Sequence, residues 1–146
     1  MAQDGDPVLG KKIWLTGVTC KYCHGSLGQG VQDDPQMPQG YNLRATSLSP
    51  DQMREVVRCG RPGGLMPYFQ RNAWTERAPC YGMTAAEVGD LIPDKADKML
   101  SDRSLDAIIA VIFEEFVGKT EITREICVDF VGEGATRCKQ YPLAGN

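Results

Sequence analysis

Residues 20–24 read Cys-Lys-Tyr-Cys-His, and His24 is the only histidine in the chain. This C-x-x-C-H run is the attachment signal for a c-type haem. The chemistry needs each part. Thiols separated by two residues reach the two vinyl groups of one porphyrin and form thioethers. The next residue then brings its imidazole under the ring to bind iron. A chain that attaches haem in this way would use the porphyrin as much of its core. Two other uses of C-x-x-C fit less well. Structural zinc wants four ligands, usually as two close pairs, but Cys59, Cys80, Cys127 and Cys138 form no second C-x-x-C and there is no second histidine. A redox dithiol wants a preceding strand in a βαβ frame, whereas residues 8–18 read as a helix.

A chain of 146 residues is expected to form one domain, with 121–146 as an extension packed on it. Its 16 glycines and 9 prolines imply many turns and a modest core of its own, so a buried porphyrin would supply much of the rest. The net charge of -3 and the absence of a basic run speak against nucleic acid. The longest apolar run, Ala107 to Phe113, is too short to span a bilayer. The polar start Met-Ala-Gln-Asp-Gly-Asp reads as a processed N-terminus behind an added methionine, with the signal peptide removed. Four further cysteines suggest two disulfides and an oxidising compartment, here the periplasm. Three pairings are possible, and proximity along the chain favours Cys59–Cys80 and Cys127–Cys138.

Asp6-Pro7 is a helix start with Pro at the first helical position, predicting a helix over 7–16 that turns Val8, Leu9, Ile13 and Trp14 inward. Gly10 would allow a close crossing with another helix. The glycine-rich stretch after His24 and the prolines at 35 and 38 predict a wrapping loop to residue 48. Ser49-Pro50-Asp51-Gln52 is a capping box opening a helix to Cys59, with Gly60 as its stop. A second box at Thr84-Ala85-Ala86-Glu87 predicts a short helix ending before Pro93. From Asp102 to Gly118, residues Leu105, Ile108, Ile109, Ile112, Phe113 and Phe116 form one continuous apolar face. The tail after Glu121 reads as an irregular extension closed by Cys127–Cys138, with a short helix as the alternative.

An iron held by one histidine needs a sixth ligand or has an open face. Met37, Met53, Met66, Met83 and Met99 are the candidates. In order, the parts are an N-terminal helix, C-x-x-C-H, a loop, a middle helix, the run Gly63-Gly64-Leu65-Met66-Pro67 and a C-terminal helix. In this order, over about residues 7–118, the chain resembles the class I c-type cytochromes. The resemblance implies an all-α fold, with orthogonal helices around one covalent haem c. It makes Cys20 and Cys23 the thioether residues, His24 the proximal ligand and Met66 the distal one, with Met83 beside Cys80 as the rival. A proline-containing loop would supply a carbonyl for the other ring nitrogen of His24, with Pro35 or Pro38 as the expected site. Arg61, Arg71, Tyr41 and Trp74 are the expected donors to haem propionates.

Two segments depart from that pattern: an insertion at about residues 72–100, and the extension after residue 120. They read as disulfide-stapled supports or as docking surface. The implied function is one-electron transfer with a periplasmic dehydrogenase or oxidase as redox partner, not catalysis. The alternative is a dedicated cytochrome subunit in a hetero-oligomeric oxidoreductase complex. A haem peroxidase or ligand-binding haem is disfavoured, because no spare histidine exists to act as acid or base. Charge is segregated along the chain. Residues 54–77 carry five arginines against two glutamates, whereas residues 87–106 are net acidic. This suggests steering of an acidic partner by Arg61 and Arg71.

Overall fold

The structure is a computed structural model that describes residues 5–145; Met1–Asp4 of the expected processed start lie outside the described residues. Its regular elements are helical apart from two isolated β-bridges, so the chain is all-α. Helix α1 spans Pro7–Thr16, α2 Cys20–His24, α3 Pro50–Cys59, α4 Ala85–Val88, α5 Asp102–Val111 and α6 Arg124–Val131.

The organising contact is the crossing of α1 and α5. A methyl group on Gly10 would stand 2.0 Å from the Ala107 carbonyl oxygen, and one on Gly5 would stand 2.0 Å from that of Asp106. Backbone therefore meets backbone, and no side chain can intervene. This decides which side of α1 is inside. Trp14 is buried, Leu9 and Ile13 are half-buried, and Val8 is 78% exposed rather than inward as expected. Val8 precedes Gly10 by two residues, about 200° round a helix of 3.6 residues per turn, so burying Gly10 turns Val8 to solvent. Asp6 caps α1 by accepting from the Val8 amide at 2.9 Å.

Helix α3 begins with the expected capping box, in which Ser49 and Gln52 bond each other's backbone amides at 2.8 and 3.1 Å. It buries Met53, Val56, Val57 and Cys59 and stops at Gly60, where φ is +68°. The apolar face of α5 is buried as its period predicts, at Leu105, Ile108, Ile109, Ile112 and Phe116. The helix does not run evenly to residue 118, however. Residues 112–116 widen into a π turn, and the Val117 amide bonds the Ile112 carbonyl at 3.0 Å. In this turn Phe116 meets Trp14 edge-on, 5.1 Å between ring centres, and Phe130 at 5.2 Å.

The tail takes the helical alternative. Thr123 caps α6 through the Ile126 amide, and the helix buries Cys127 and Phe130 before stopping at Gly132. Both disulfides form as proximity suggested. Cys59–Cys80 closes the insertion and Cys127–Cys138 closes the extension, with Cα separations of 5.9 and 5.4 Å. Each contributes about 3 kcal/mol by the loop-closure argument. The insertion forms a small second core of Cys59, Ala73, Trp74 and Cys80, apart from the main one.

Gly10→Val should destabilise the protein by about 3 kcal/mol, because the facing atom is backbone and cannot swing away. Val8→Ala, on the exposed side of the same helix, should change stability by less than about 0.5 kcal/mol. Urea unfolding of the two variants measures both.

Candidate functional site

Helix α2 is a short segment without a side-chain cap at Thr19, and it ends at Gly25, whose amide bonds the Lys21 carbonyl at 2.8 Å. It holds Cys20, Cys23 and His24, all partly exposed. The loop that follows folds back over it: the Gly30 amide bonds the His24 carbonyl at 2.8 Å and the Gly40 amide bonds the Cys23 carbonyl at 2.7 Å. The loop then presents the Tyr41 carbonyl to His24 Nδ1 at 2.9 Å. A carbonyl only accepts, so Nδ1 carries the proton, and Nε2 is left with a lone pair for a metal. A backbone carbonyl was expected here, but from Pro35 or Pro38; the loop returns to the histidine only after both prolines. Burial pulls the His24 pKa below the ordinary histidine value, and the Tyr41 bond opposes this in part, so the ring is neutral at pH 7.

Gly40 fixes the plane of that ring. A Cβ there would lie 2.6 Å from Nδ1 and 2.8 Å from Cε1 of His24. Only a bare backbone can pass so close to the imidazole face. Nothing in the sequence singled out Gly40 among sixteen glycines.

The two thiols are the only free cysteines, since the other four are paired in disulfides. Burial pushes the Cys20 thiol up to about 12, with Cys23 adding to the rise and a backbone hydrogen bond opposing it. Cys23 is raised as well, by burial and then by Asp34. A redox dithiol needs a lowered pKa, and burial moves both of these thiols the other way. Among the described residues, no three His, Cys, Asp or Glu side chains converge to hold a metal ion. Two unpaired thiols and one imidazole with an oriented lone pair are the groups that a c-type haem would take up.

The candidate methionines separate by location. Met66 is half-buried and packs on the rim of the main core, as Cys20 does. Met83 belongs to the second core around Cys59–Cys80. Met53 is buried inside the main core at 2% exposure, and Met37 lies in the loop after α2. Met99 also reaches the main core's rim, but from the insertion. The loop bearing Met66 closes on itself, with the Arg61 amide on the Met66 carbonyl at 3.2 Å.

The candidate propionate donors do not behave alike. Arg61, Arg71 and Tyr41 are exposed, and Arg71 borders a depression of about 390 Å³ with Gln70, Met99 and Asp102. Trp74 is buried in the second core, and its indole N–H donates to the Cys59 carbonyl at 3.0 Å, so that donor is already engaged. The charge segregation along the sequence is partly closed within the fold. Arg54 pairs with Asp106 at 2.7 Å and approaches Asp102 at 3.7 Å. Arg58 bonds the carbonyls of Ala78 and Pro79. Arg61, Arg71 and Arg77 remain exposed.

One buried residue behind the site carried no sequence signal. Arg44 is 1% exposed, donates from Nε to the Leu27 carbonyl at 2.7 Å and from Nη1 to that of Lys119 at 2.8 Å, and lies over the Phe116 ring. An arginine inside a polar loop reads as surface until the tertiary fold covers it.

No family model, no curated protein and no solved structure matches this chain.

Gly40→Ala should push the imidazole off the Tyr41 carbonyl. The loss of a protected, carbonyl-bonded Nδ1 proton in nitrogen–proton correlation spectra checks this. An unchanged proton signal would mean that the loop, and not Gly40, sets the ring.

Proposed function

We propose that this chain is a one-electron carrier of an oxidising compartment, holding one haem c through Cys20 and Cys23 with His24 and Met66 as axial ligands. The observation that carries the reading is the donor set on α2. Two unpaired thiols precede an imidazole whose Nδ1 is fixed on the Tyr41 carbonyl at 2.9 Å. The two disulfides support an oxidising compartment. No helix among the described residues is long and apolar enough to cross a membrane. Met66 is preferred to Met83 because it shares the main core's rim with Cys20.

Haem c supplies an iron that cycles between ferric and ferrous states. The chain's residues hold it and set its potential. His24 would hold it through Nε2, and the bond to Tyr41 keeps the ring oriented and raises its basicity. Met66 would be the second ligand, which would favour the reduced state relative to two nitrogen ligands and leave no coordination site for a substrate. The apolar rim residues Leu43, Leu48 and Phe113 would exclude water from the ring.

A second reading is a cytochrome subunit built into an oxidoreductase complex. It draws on exposed Leu65 and Leu91, which lie on segments joined by the bond from the Gly63 amide to the Leu91 carbonyl. An apolar surface spanning both the Met66 loop and the insertion suits a lasting partner. Co-purification with a larger protein, against a lone monomer on a sizing column, separates the two readings.

Produced with a competent maturation system, the chain should gain the mass of one haem, and the haem should survive acid–acetone extraction and denaturing electrophoresis. Zinc without haem would end the reading. Met66→Ala should abolish the near-infrared methionine-to-iron band and lower the reduction potential, while Met83→Ala and Met99→Ala leave both in place. Loss of the band in either of the latter moves the ligand there.

Arg61 and Arg71, exposed and without an ion pair among the described residues, should steer an acidic partner. Steering acts on association rate and is screened over a Debye length of about 8 Å at physiological ionic strength. Reversing both to Glu should slow electron transfer to that partner at low salt and have little effect at high salt. Stopped-flow rates across a salt series test this.

A further inference from the structure

The stretch from Asn72 to Leu100 lies outside the elements that carry Cys20, His24 and Met66, yet it holds the chain's two most unusual backbone positions. Among the described residues, Trp74 and Tyr81 are the only non-glycine residues with positive φ, at +68° and +53°. Bulky residues avoid this region, and they stay there only where surrounding contacts force them to. What holds these two is a common target. Trp74 donates its indole N–H to the Cys59 carbonyl at 3.0 Å, and Tyr81 donates its hydroxyl to the Gly60 carbonyl at 2.6 Å. Two consecutive carbonyls are thus gripped by two aromatic donors whose rings pack 6.0 Å apart. The Cys59–Cys80 disulfide delivers Tyr81 to this place, and the Tyr81 amide is tied back to α3 by Glu55 at 3.1 Å.

Cys59 and Gly60 are the root of the Met66 loop. Gly60 itself has φ of +68°, and a Cβ there would stand 2.6 Å from the Met66 carbonyl oxygen. The insertion grips the loop again further along, where the Gly63 amide donates to the Leu91 carbonyl at 2.7 Å. The loop is therefore held at both points by residues of the insertion.

We propose that Trp74 and Tyr81 are positioning residues for Met66, and that the insertion serves as a clamp presenting the thioether to the iron. This rests on the reading of Met66 as the distal ligand. A thioether is a neutral, weak ligand, so it outcompetes other ligands only when the loop presents it at little cost in ordering. The clamp meets that cost during folding. Strain at two aromatic residues is stored where it fixes the conformation of the ligand loop.

The test uses the haem-loaded protein with Tyr81→Phe and Trp74→Phe, which keep aromatic rings and remove one donor each. Two quantities are read: hydrogen exchange at the Arg61 and Gly63 amides relative to Ile108 and Ile109 in α5, and the affinity for added imidazole, which must displace Met66. Either variant leaves a carbonyl without its donor, and about a tenfold effect is expected. Exchange should quicken about tenfold at Arg61 and Gly63 with α5 unchanged, and imidazole should bind about tenfold more tightly. Unchanged exchange in the loop overturns the proposal. So does exchange that quickens equally in α5, which would mark a merely structural role. A loosened loop with unaltered imidazole affinity overturns the link to Met66. The distal-ligand reading fails on a different measurement, an intact methionine-to-iron band in Met66→Ala, so the two failures are told apart.

Discussion

The crossing of α1 and α5 through bare backbone at Gly5 and Gly10 is the constraint on which the rest of the molecule depends. It sets backbone against backbone with no room for a Cβ, so the side chains flanking the contact have little freedom. Trp14 is driven against Phe116 and finds a partner for its indole N–H in the Ser26 carbonyl at 2.9 Å. That bond ties the helix before the C-x-x-C-H run to the loop after it. The run itself is left at the rim of the core, its thiols half-covered and its histidine turned toward a single backbone acceptor. A site built on such a short helix gets its rigidity from what packs behind it.

The C-terminal extension adds to this backing. Phe130 of α6 completes the aromatic stack on Phe116, and Lys11 of α1 reaches the Asp129 carbonyl at 3.0 Å. Next to Cys138, Arg137 bonds Ser26 and pairs with Asp33 at 3.0 Å, while Gln29 donates to the hydroxyl of Tyr141, beyond the bridge, at 3.0 Å. Extension residues therefore hold the same loop that supplies Gly40 and the Tyr41 carbonyl to His24. Arg44 serves from the other side, joining that loop to the end of the π turn with no carboxylate partner among the described residues; burial lowers its pKa, as desolvation of a cation must. The insertion and the extension thus serve opposite sides of the site, one gripping the Met66 loop and the other the histidine loop.

Much of this was legible in the sequence. The limits of α1 and α3, the apolar face of α5 and both disulfide pairings followed from caps, period and proximity, because each depends on residues close together in the chain. The C-x-x-C-H run is equally local, since its chemistry requires three residues within five. What misled was direction and termination. Val8 looked like core because it is apolar, but Gly10 decides which side of α1 is covered. The even period of α5 gave no sign of the π turn, which forms where Phe116 fits between Trp14 and Phe130. Thr123 was a cap available in the tail, with Cys127 and Phe130 on one face of the helix it opens.

By itself, then, the sequence determined the class of elements and the run of Cys20, Cys23 and His24, and its spacing favoured the two disulfide pairings that form, all matters of neighbouring residues and their chemistry. Tertiary structure alone decided which carbonyl orients His24, that Met66 and Met99 reach the core rim of Cys20 while Met83 does not, and which arginines stay exposed once Arg54 has met Asp106. It also decided that Trp74, an expected propionate donor, faces the root of the Met66 loop with its N–H already engaged. Each of these joins residues far apart in the chain through a backbone group or a buried surface. Neither a carbonyl's direction nor a buried face is written in a side chain's identity, so neither could be read before the chain was folded.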